Sequence, residues 1–158
     1  MGSTQSLLVR RYRAGDLDSV IAVFQGAIRN VASRDYTPAQ VAAWSAVDRA
    51  EWAPWRLSRP AWVAEIDGAV AGFTDLEPDG HLDMMFVHPE RQGMGVATTL
   101  LAALEAYAVE NGIRRLFAEA SITARPFFAR RGFTVIRRDL VEQGGESFTI
   151  YHIEKRHG

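Results

Sequence analysis

Val87-His88-Pro89-Glu90-Arg91-Gln92-Gly93-Met94-Gly95-Val96-Ala97 is the stretch on which the reading of this chain turns. Before it lies a hydrophobic run with strand character, residues 81–87. After it comes Thr98-Thr99-Leu100-Leu101-Ala102-Ala103-Leu104, which reads as a helix. A strand, a glycine-bearing turn and a helix start together form a backbone cradle for phosphate. The free N–H groups of a first helical turn point outward, and the helix dipole favours negative charge there. Gly93 and Gly95 let the backbone approach a ligand with no Cβ in the way. The pattern is Gln92-x-x-Gly95-x-Ala97; neither G-x-x-x-x-G-K-[ST] nor a three-glycine dinucleotide fingerprint is present. A strand-to-helix turn that holds no ligand is the plain alternative.

The bulk properties bound the rest. A chain of 158 residues suits one domain, here 1–158, and can bury a substantial core. With 47% hydrophobic and 23% charged residues it has the balance of a globular protein. It has no apolar run long enough for a transmembrane helix and no apolar secretory segment at its start, so the expectation is a cytoplasmic protein without a membrane partner. Met1-Gly2-Ser3 is compatible with a cloning remnant. The absence of cysteine excludes disulfides, thiolate catalysis and Cys-based zinc sites. The four histidines, 81, 88, 152 and 157, show no metal-ligand spacing, so no metal is expected. A net charge of −1 argues against a nucleic-acid binder. Seven arginines against one acid between Arg114 and Arg138 make either a solvated face or a field for an anionic cofactor.

Residues 7–12 read as a first strand. Asp16 is placed to cap a helix in which Leu17, Val20, Ile21, Phe24, Ile28 and Val31 recur at helical spacing. Thr37-Pro38 opens a second helix, and residues 50–57 form a short helical piece interrupted at Pro54. Two strands, 61–66 and 69–76, flank the hairpin signal Asp67-Gly68. A strand over 81–87 leads into a long helix over 93–110, ended by Asn111-Gly112. A strand over 115–120, a short helix over 122–131 and a hairpin around Gly144-Gly145 complete the order β-α-α-β-β-β-α-β-α-β-β. The helix over 93–110 makes the strands on either side of it parallel.

A second motif follows the first at a distance. Ser121-Ile122-Thr123-Ala124-Arg125-Pro126-Phe127-Phe128-Ala129-Arg130-Arg131-Gly132-Phe133 resembles the segment N-x-x-A-x-x-[FL]-Y-x-x-x-G-F, and Gln92-x-x-Gly95-x-Ala97 resembles [QR]-x-x-G-x-[GA]. Both belong to the GNAT N-acetyltransferases, whose element order resembles this one from Leu7 to Glu154. The wording around Arg34-Asp35-Tyr36-Thr37-Pro38-Ala39-Gln40 and Leu76-Glu77-Pro78-Asp79-Gly80-His81-Leu82-Asp83-Met84 is similar to the bacterial YafP-type subgroup. The resemblance implies an α/β (α+β) fold: a mixed, mostly antiparallel sheet of about seven strands with helices on both faces. Two positions depart from the family. Its Asn is Ser121 here, and its Tyr, which often protonates the leaving thiolate, is Phe128, which has no proton to give.

The resemblance further implies that acetyl-CoA lies between the strands ending at Val87 and Ala120. Its pantetheine arm would pair with Met85, Phe86 and Val87. Its pyrophosphate would sit beside Gln92 on the amides of Gly93, Met94, Gly95, Val96, Ala97 and Thr98. Phe127 and Phe128 are packing residues along the coenzyme arm, Ser121 is placed to bond the pantetheine amide, and Arg130 or Arg131 to reach a phosphate. The N–H of Val87 or of a neighbour at a bulge would meet the oxyanion.

Acetyl transfer needs a deprotonated amine, because an alkyl ammonium has a pKa of roughly 10. Alternation along the strand predicts His81, Asp83, Met85 and Val87 on one face, with Leu82, Met84 and Phe86 on the other. His81 is a candidate base, titrating near neutrality. Asp83 would orient it, bind the substrate ammonium or act as base itself. The plain alternative is that His81 only starts a strand. Tyr36 is the best spare phenol for the acid, with Tyr151 and a relay through Ser121 behind it. Asp35, Tyr36, Trp44 and Glu119 are candidate acceptor contacts. All four tryptophans, 44, 52, 55 and 62, serve either as core packing or as an aromatic wall for a small amine. The expected partner is a small-molecule amine, with the chain a monomer or a homodimer. The rival readings are a non-catalytic coenzyme A binder or sensor and a different nucleotide-binding module.

Overall fold

The computed structural model describes residues 6–157; the Met1-Gly2-Ser3 reading lies outside them. The strands are β1 (Leu7–Arg11), β2 (Ala61–Ile66), β3 (Ala69–Asp75), β4 (Met85–Val87), β5 (Arg115–Ala120), β6 (Thr134–Gln143) and β7 (Glu146–Arg156). The helices are α1 (Leu17–Asn30), α2 (Pro38–Ser45), α3 (Arg49–Leu57), α4 (Val96–Glu110) and α5 (Arg125–Arg130). No helix among the described residues is long and apolar enough to cross a membrane.

Local chemistry explains most boundaries. Thr37 caps α2 through a reciprocal pair with Gln40, and Pro38 takes the first helical position, where its missing N–H costs nothing. Asp67 and Gly68 both have positive φ, as a tight hairpin turn requires, and so do Gly144 and Gly145. Asp16 behaves differently from expectation. It sits at the start of α1 without capping it; its carboxylate accepts from the Arg13 N–H and from both Arg10 guanidinium nitrogens. The break expected at Pro54 also fails to occur, and α3 runs through it. Trp52 and Arg56, four residues apart on one buried face, hold the helix by packing.

Strand order divides into β1-β2-β3-β4 and β5-β7-β6, each antiparallel, in place of one seven-stranded sheet. Among the described residues a single parallel bridge, His81 with Phe117, joins the two: Leu82 N–H donates to Phe117 O at 2.9 Å and Phe117 N–H to Gly80 O at 3.0 Å. Beyond it β4 follows β3 and β5 follows β7, so the sheet opens into a wedge. Helices cover both faces. Leu100, Leu101, Leu104 and Ala108 of α4 pack with Trp62, Ala64 and Leu116, while Val20, Phe24 and Ile28 of α1 pack with Val63 and Phe73.

Two glycines make these approaches possible. A Cβ on Gly80 would lie 2.0 Å from the Arg115 carbonyl, where the bridge forms. A Cβ on Gly72 would lie 2.7 Å from Val96 Cγ1 and 2.9 Å from Phe86 O, where α4 sits down on β3. Gly72→Ala is therefore expected to lower unfolding stability by about 1–3 kcal/mol, measured by denaturant titration. A variant as stable as the parent would show that α4 has room to shift.

The predicted strand over 81–87 is shorter than expected, and its alternation slips. Leu82 packs in the α4 cluster with Met85 and Val87, whereas Met84 and Phe86 pack in the α1 cluster. The irregularity is held by β3: Asp75 N–H donates to Met84 O (3.2 Å), Thr74 Oγ1 donates to the same oxygen (2.7 Å), and Met84 N–H donates to Asp75 Oδ1 (2.9 Å).

Candidate active site

The glycine loop has the geometry of an anion cradle. Helix α4 begins at Val96, three residues later than the spacing predicted, because Gly93 and Gly95 take left-handed conformations with φ of +74° and +82°. A Cβ on either would meet nothing within 4 Å, so the loop stands open and its glycines answer to backbone conformation. Gln92 Nε2 donates to Val87 O at 3.2 Å and ties the loop to the end of β4. The first-turn amides of α4, those of Val96, Ala97 and Thr98, have no partner within the helix. Met94 is exposed at the tip.

The two arginines are placed differently. Arg131 reaches the start of α4, donating to Thr98 Oγ1 at 2.6 Å, with its guanidinium 4.1 Å from the Phe127 ring centroid. Arg130 lies exposed at the end of α5. Arg131 therefore stands beside the start of α4. Phe128 is buried against Phe127 and Phe133, as expected of a packing residue.

At the mouth of the wedge lies a cavity of about 540 Å³. Its walls are the strand ends Met85, Phe86, Ala118 and Ala120, the aromatics Tyr36, Trp44, Trp52, Trp55 and Phe148, and the ionisable groups Asp48, Glu51, His81, Asp83 and Glu119. Ser121 and Phe128 complete the side next to α5. Trp62 is elsewhere, packed on Tyr107 beneath α4, so three of the four tryptophans form the aromatic wall.

Tyr36 comes from the turn after α1, yet its hydroxyl reaches the end of β5, where it accepts the Ile122 N–H at 2.9 Å beside Ser121. Burial raises its pKa above the ordinary phenol value, so the proton stays on. Trp44 packs edge-on against the Tyr36 ring at 5.3 Å. Asp35 does not reach the cavity. Its carboxylate accepts from Thr123 Oγ1 at 2.7 Å and straps the Tyr36 turn to the loop after β5. Ser121 Oγ accepts the Ala124 N–H at 3.1 Å.

His81 differs most from its sequence reading. Its Nδ1 lies 2.6 Å from Glu77 and its Nε2 2.8 Å from Glu119. Hydrogen bonding to Glu119 is the main reason its pKa is pushed up to about 9; burial opposes the shift and Glu77 adds to it. The imidazole is therefore charged at neutrality, and Glu119 in turn is held below its ordinary range by His81. Because the folded pKa lies above the ordinary 6.5, this pairing stabilises the fold fully below that value and is lost as pH rises through about 9.

Asp83 does not orient His81. It is paired with Arg59 at 3.1 Å and Arg56 at 3.5 Å. Behind it lies a pair that sequence reasoning missed: Arg56 and Asp75, at 1% and 0% side-chain exposure, 2.7 Å apart. Burial pushes the Asp75 pKa up to about 6 against the pull of Arg56. The available signal was an acid, Asp75, at the end of the strand that the sequence predicts over 69–76, between Phe73 and Leu76, since such a residue needs a buried partner.

The split sheet, the glycine loop at the start of α4 and the cavity where the strands part all meet at one wedge. Residues 32–155 match the family described as acetyltransferase (GNAT) domain. The chain is 35% identical to the uncharacterized N-acetyltransferase YafP of Escherichia coli strain K12, over 94% of this chain and 95% of that one. Its fold is similar to that of a GCN5-related N-acetyltransferase from Rhodopseudomonas palustris (TM-score 0.93, 32% identity, covering 99% of this chain and 100% of that one). It is also similar to the PaiA N-acetyltransferase of Thermoplasma acidophilum in complex with coenzyme A (TM-score 0.82, 18% identity, covering 96% and 99%). The chain belongs to the GNAT acetyltransferase family, and it resembles YafP within it.

Proposed function

We propose that the protein transfers an acetyl group from acetyl-CoA to the primary amine of a small, cationic molecule by direct attack in a ternary complex, as one domain spanning 1–158. The cavity carries the proposal. Among the described residues Asp48 and Glu51 line it outside any ion pair, beside Glu119, which His81 holds, and Asp83, which Arg56 and Arg59 hold; the two unpaired carboxylates favour an ammonium group, and the aromatic walls suit an apolar body.

The open edge of β4 accommodates the pantetheine arm, and the loop amides with Arg131 accommodate the phosphates. Glu119 draws the substrate ammonium to the wedge. Neutral His81 takes its proton, and with a pKa of about 9 it is nearly as basic as the amine itself. The amine nitrogen then attacks the thioester carbonyl and the C–S bond breaks; Tyr36 gives its proton to the thiolate in place of the hydroxyl missing at Phe128, and the resulting phenolate regains a proton from the newly bonded nitrogen, leaving a neutral amide. Holding both substrates in one cavity contributes proximity.

Coupled thiol release across a panel of amines tests this, with kcat/KM measured against pH. Activity is expected to rise through about pH 9 as His81 loses its proton. Glu119→Gln removes the anion that holds that proton, so the limb moves down toward the ordinary histidine value of 6.5. A limb that stays in place under Glu119→Gln would belong to the substrate amine and take His81 out of the reaction. The buried, hydroxyl-free Phe128 favours a second reading, a coenzyme A binder without turnover. Calorimetric binding of coenzyme A with no thiol release on any amine would establish it. Heat with ATP or NAD and none with acetyl-CoA would sink both.

A further inference from the structure

β6 is the outer strand of its sheet, and among the described residues β7 is its only strand partner. Nine of its ten residues are exposed, Asp139 being half-buried. It carries four of the protein's exposed large apolar side chains, Val135, Ile136, Leu140 and Val141, with Leu140 the barest at 67%. A long, unpaired, apolar edge is a template for another strand unless something blocks it. The charges here do not block a second copy; they match it.

The strand has one irregularity, between Val135 and Arg137, after which residues 137–143 pair with β7 without interruption. In this straight part Arg137, Asp139 and Val141 stand opposite His152, Ile150 and Phe148, on the side of the cavity. Arg138, Leu140 and Glu142 occupy the other face. That face reads Arg-Leu-Glu in one direction, and an antiparallel copy presents Glu-Leu-Arg. An axis through Leu140 sets it against Leu140 of the partner subunit. Arg138 then meets Glu142 of the partner subunit, and Glu142 meets the partner's Arg138. Other registers are worse. An axis through Arg138, Asp139 or Glu142 places like charges directly opposite, and one through Val141 forms no cross-strand ion pair; the Leu140 register sets Val141 against Asp139 of the partner subunit on the other face but forms both ion pairs.

We infer that the protein is a homodimer formed by antiparallel pairing of β6 with β6 of a second copy, about a two-fold axis through Leu140. The two three-stranded sheets become one, and the interface is isologous. It also borders the acceptor site, because Val141 and Gln143 line the cavity. The second copy thereby closes the edge of the strand that forms one cavity wall.

Sedimentation equilibrium at micromolar concentration is expected to give twice the chain mass of 17.5 kDa. Arg138→Glu and Glu142→Arg each convert both cross-strand ion pairs into like-charge contacts. Each is expected to raise the dimer dissociation constant by about tenfold or more, equivalent to roughly 1.4 kcal/mol. Both side chains are exposed, so thermal melting and coenzyme A binding should confirm intact folds. Mixing the Arg138→Glu and Glu142→Arg variants sets an all-acidic strand face against an all-basic one. Opposite charges then meet at both cross-strand positions, and the mixture is expected to form dimers again, now as heterodimers. A monomeric parent protein, a dimer that either variant leaves intact, or a mixture that stays monomeric would each overturn the inference.

Discussion

Gly95→Glu is expected to abolish acetyl-CoA binding, weakening it by about a hundredfold or more in calorimetry, while the chain stays folded. Three effects act together. Gly95 has φ of +82°, which a glutamate tolerates only with strain. Its carboxylate lies beside the amides of Val96, Ala97 and Thr98 and competes for the donors that would meet the pyrophosphate. Its negative charge repels the incoming phosphates; at a separation of about 4 Å the Coulomb energy is roughly 4 kcal/mol at an effective dielectric of 20. The fold survives because a Cβ at this position meets nothing within 4 Å. Gly95→Ala separates the causes. It carries the conformational strain without the charge and is expected to weaken binding by tenfold or less. Unchanged acetyl-CoA affinity in Gly95→Glu would show that the coenzyme does not use this loop.

Tyr36→Phe is expected to lower kcat by about a hundredfold, within the usual range for loss of a general acid, with KM for acetyl-CoA little changed. The phenol stands where β5 ends, on the Ile122 N–H, next to the Ser121 and Phe128 that replace the family's polar pair. Burial raises its pKa, so the acid form persists to alkaline pH; kcat should fall only as pH rises above the ordinary phenol value of 10. In Tyr36→Phe that limb should vanish. The substitution also strips the Ile122 N–H of its acceptor, an expected stability loss of about 1 kcal/mol. Thermal melting measures that loss separately. A variant with lowered stability but full kcat and an unaltered alkaline limb would leave Tyr36 a structural residue.

Much of the fold was legible because its determinants are local. The reciprocal Thr37–Gln40 cap lies within four residues, as does the turn at Asp67-Gly68, and each is written in residue types that only one backbone geometry satisfies. The places where reading failed share a different cause. Pro54 did not break α3 because Trp52 and Arg56 anchor that helix from one side. The alternation over residues 81–87 slipped because Asp75, on a neighbouring strand, takes the Met84 N–H. Asp35 was drawn away from the cavity by Thr123, 88 residues further on.

The sequence by itself determined the scaffold and its glycine loop: a strand, a Gln92-to-Ala97 turn, a helix start, and a second motif ending at Gly132-Phe133. Those are requirements on the backbone over a few consecutive residues, and the residue types state them directly. Only the tertiary structure decided the ionic character of the cavity. His81 is charged because Glu119, 38 residues away, closes on it at 2.8 Å. Asp83 is engaged by Arg56 and Arg59, and Arg56 is itself anchored by Asp75. Protonation and pairing depend on the solvent exclusion and neighbours that folding assembles, so no single stretch of the chain could have announced them.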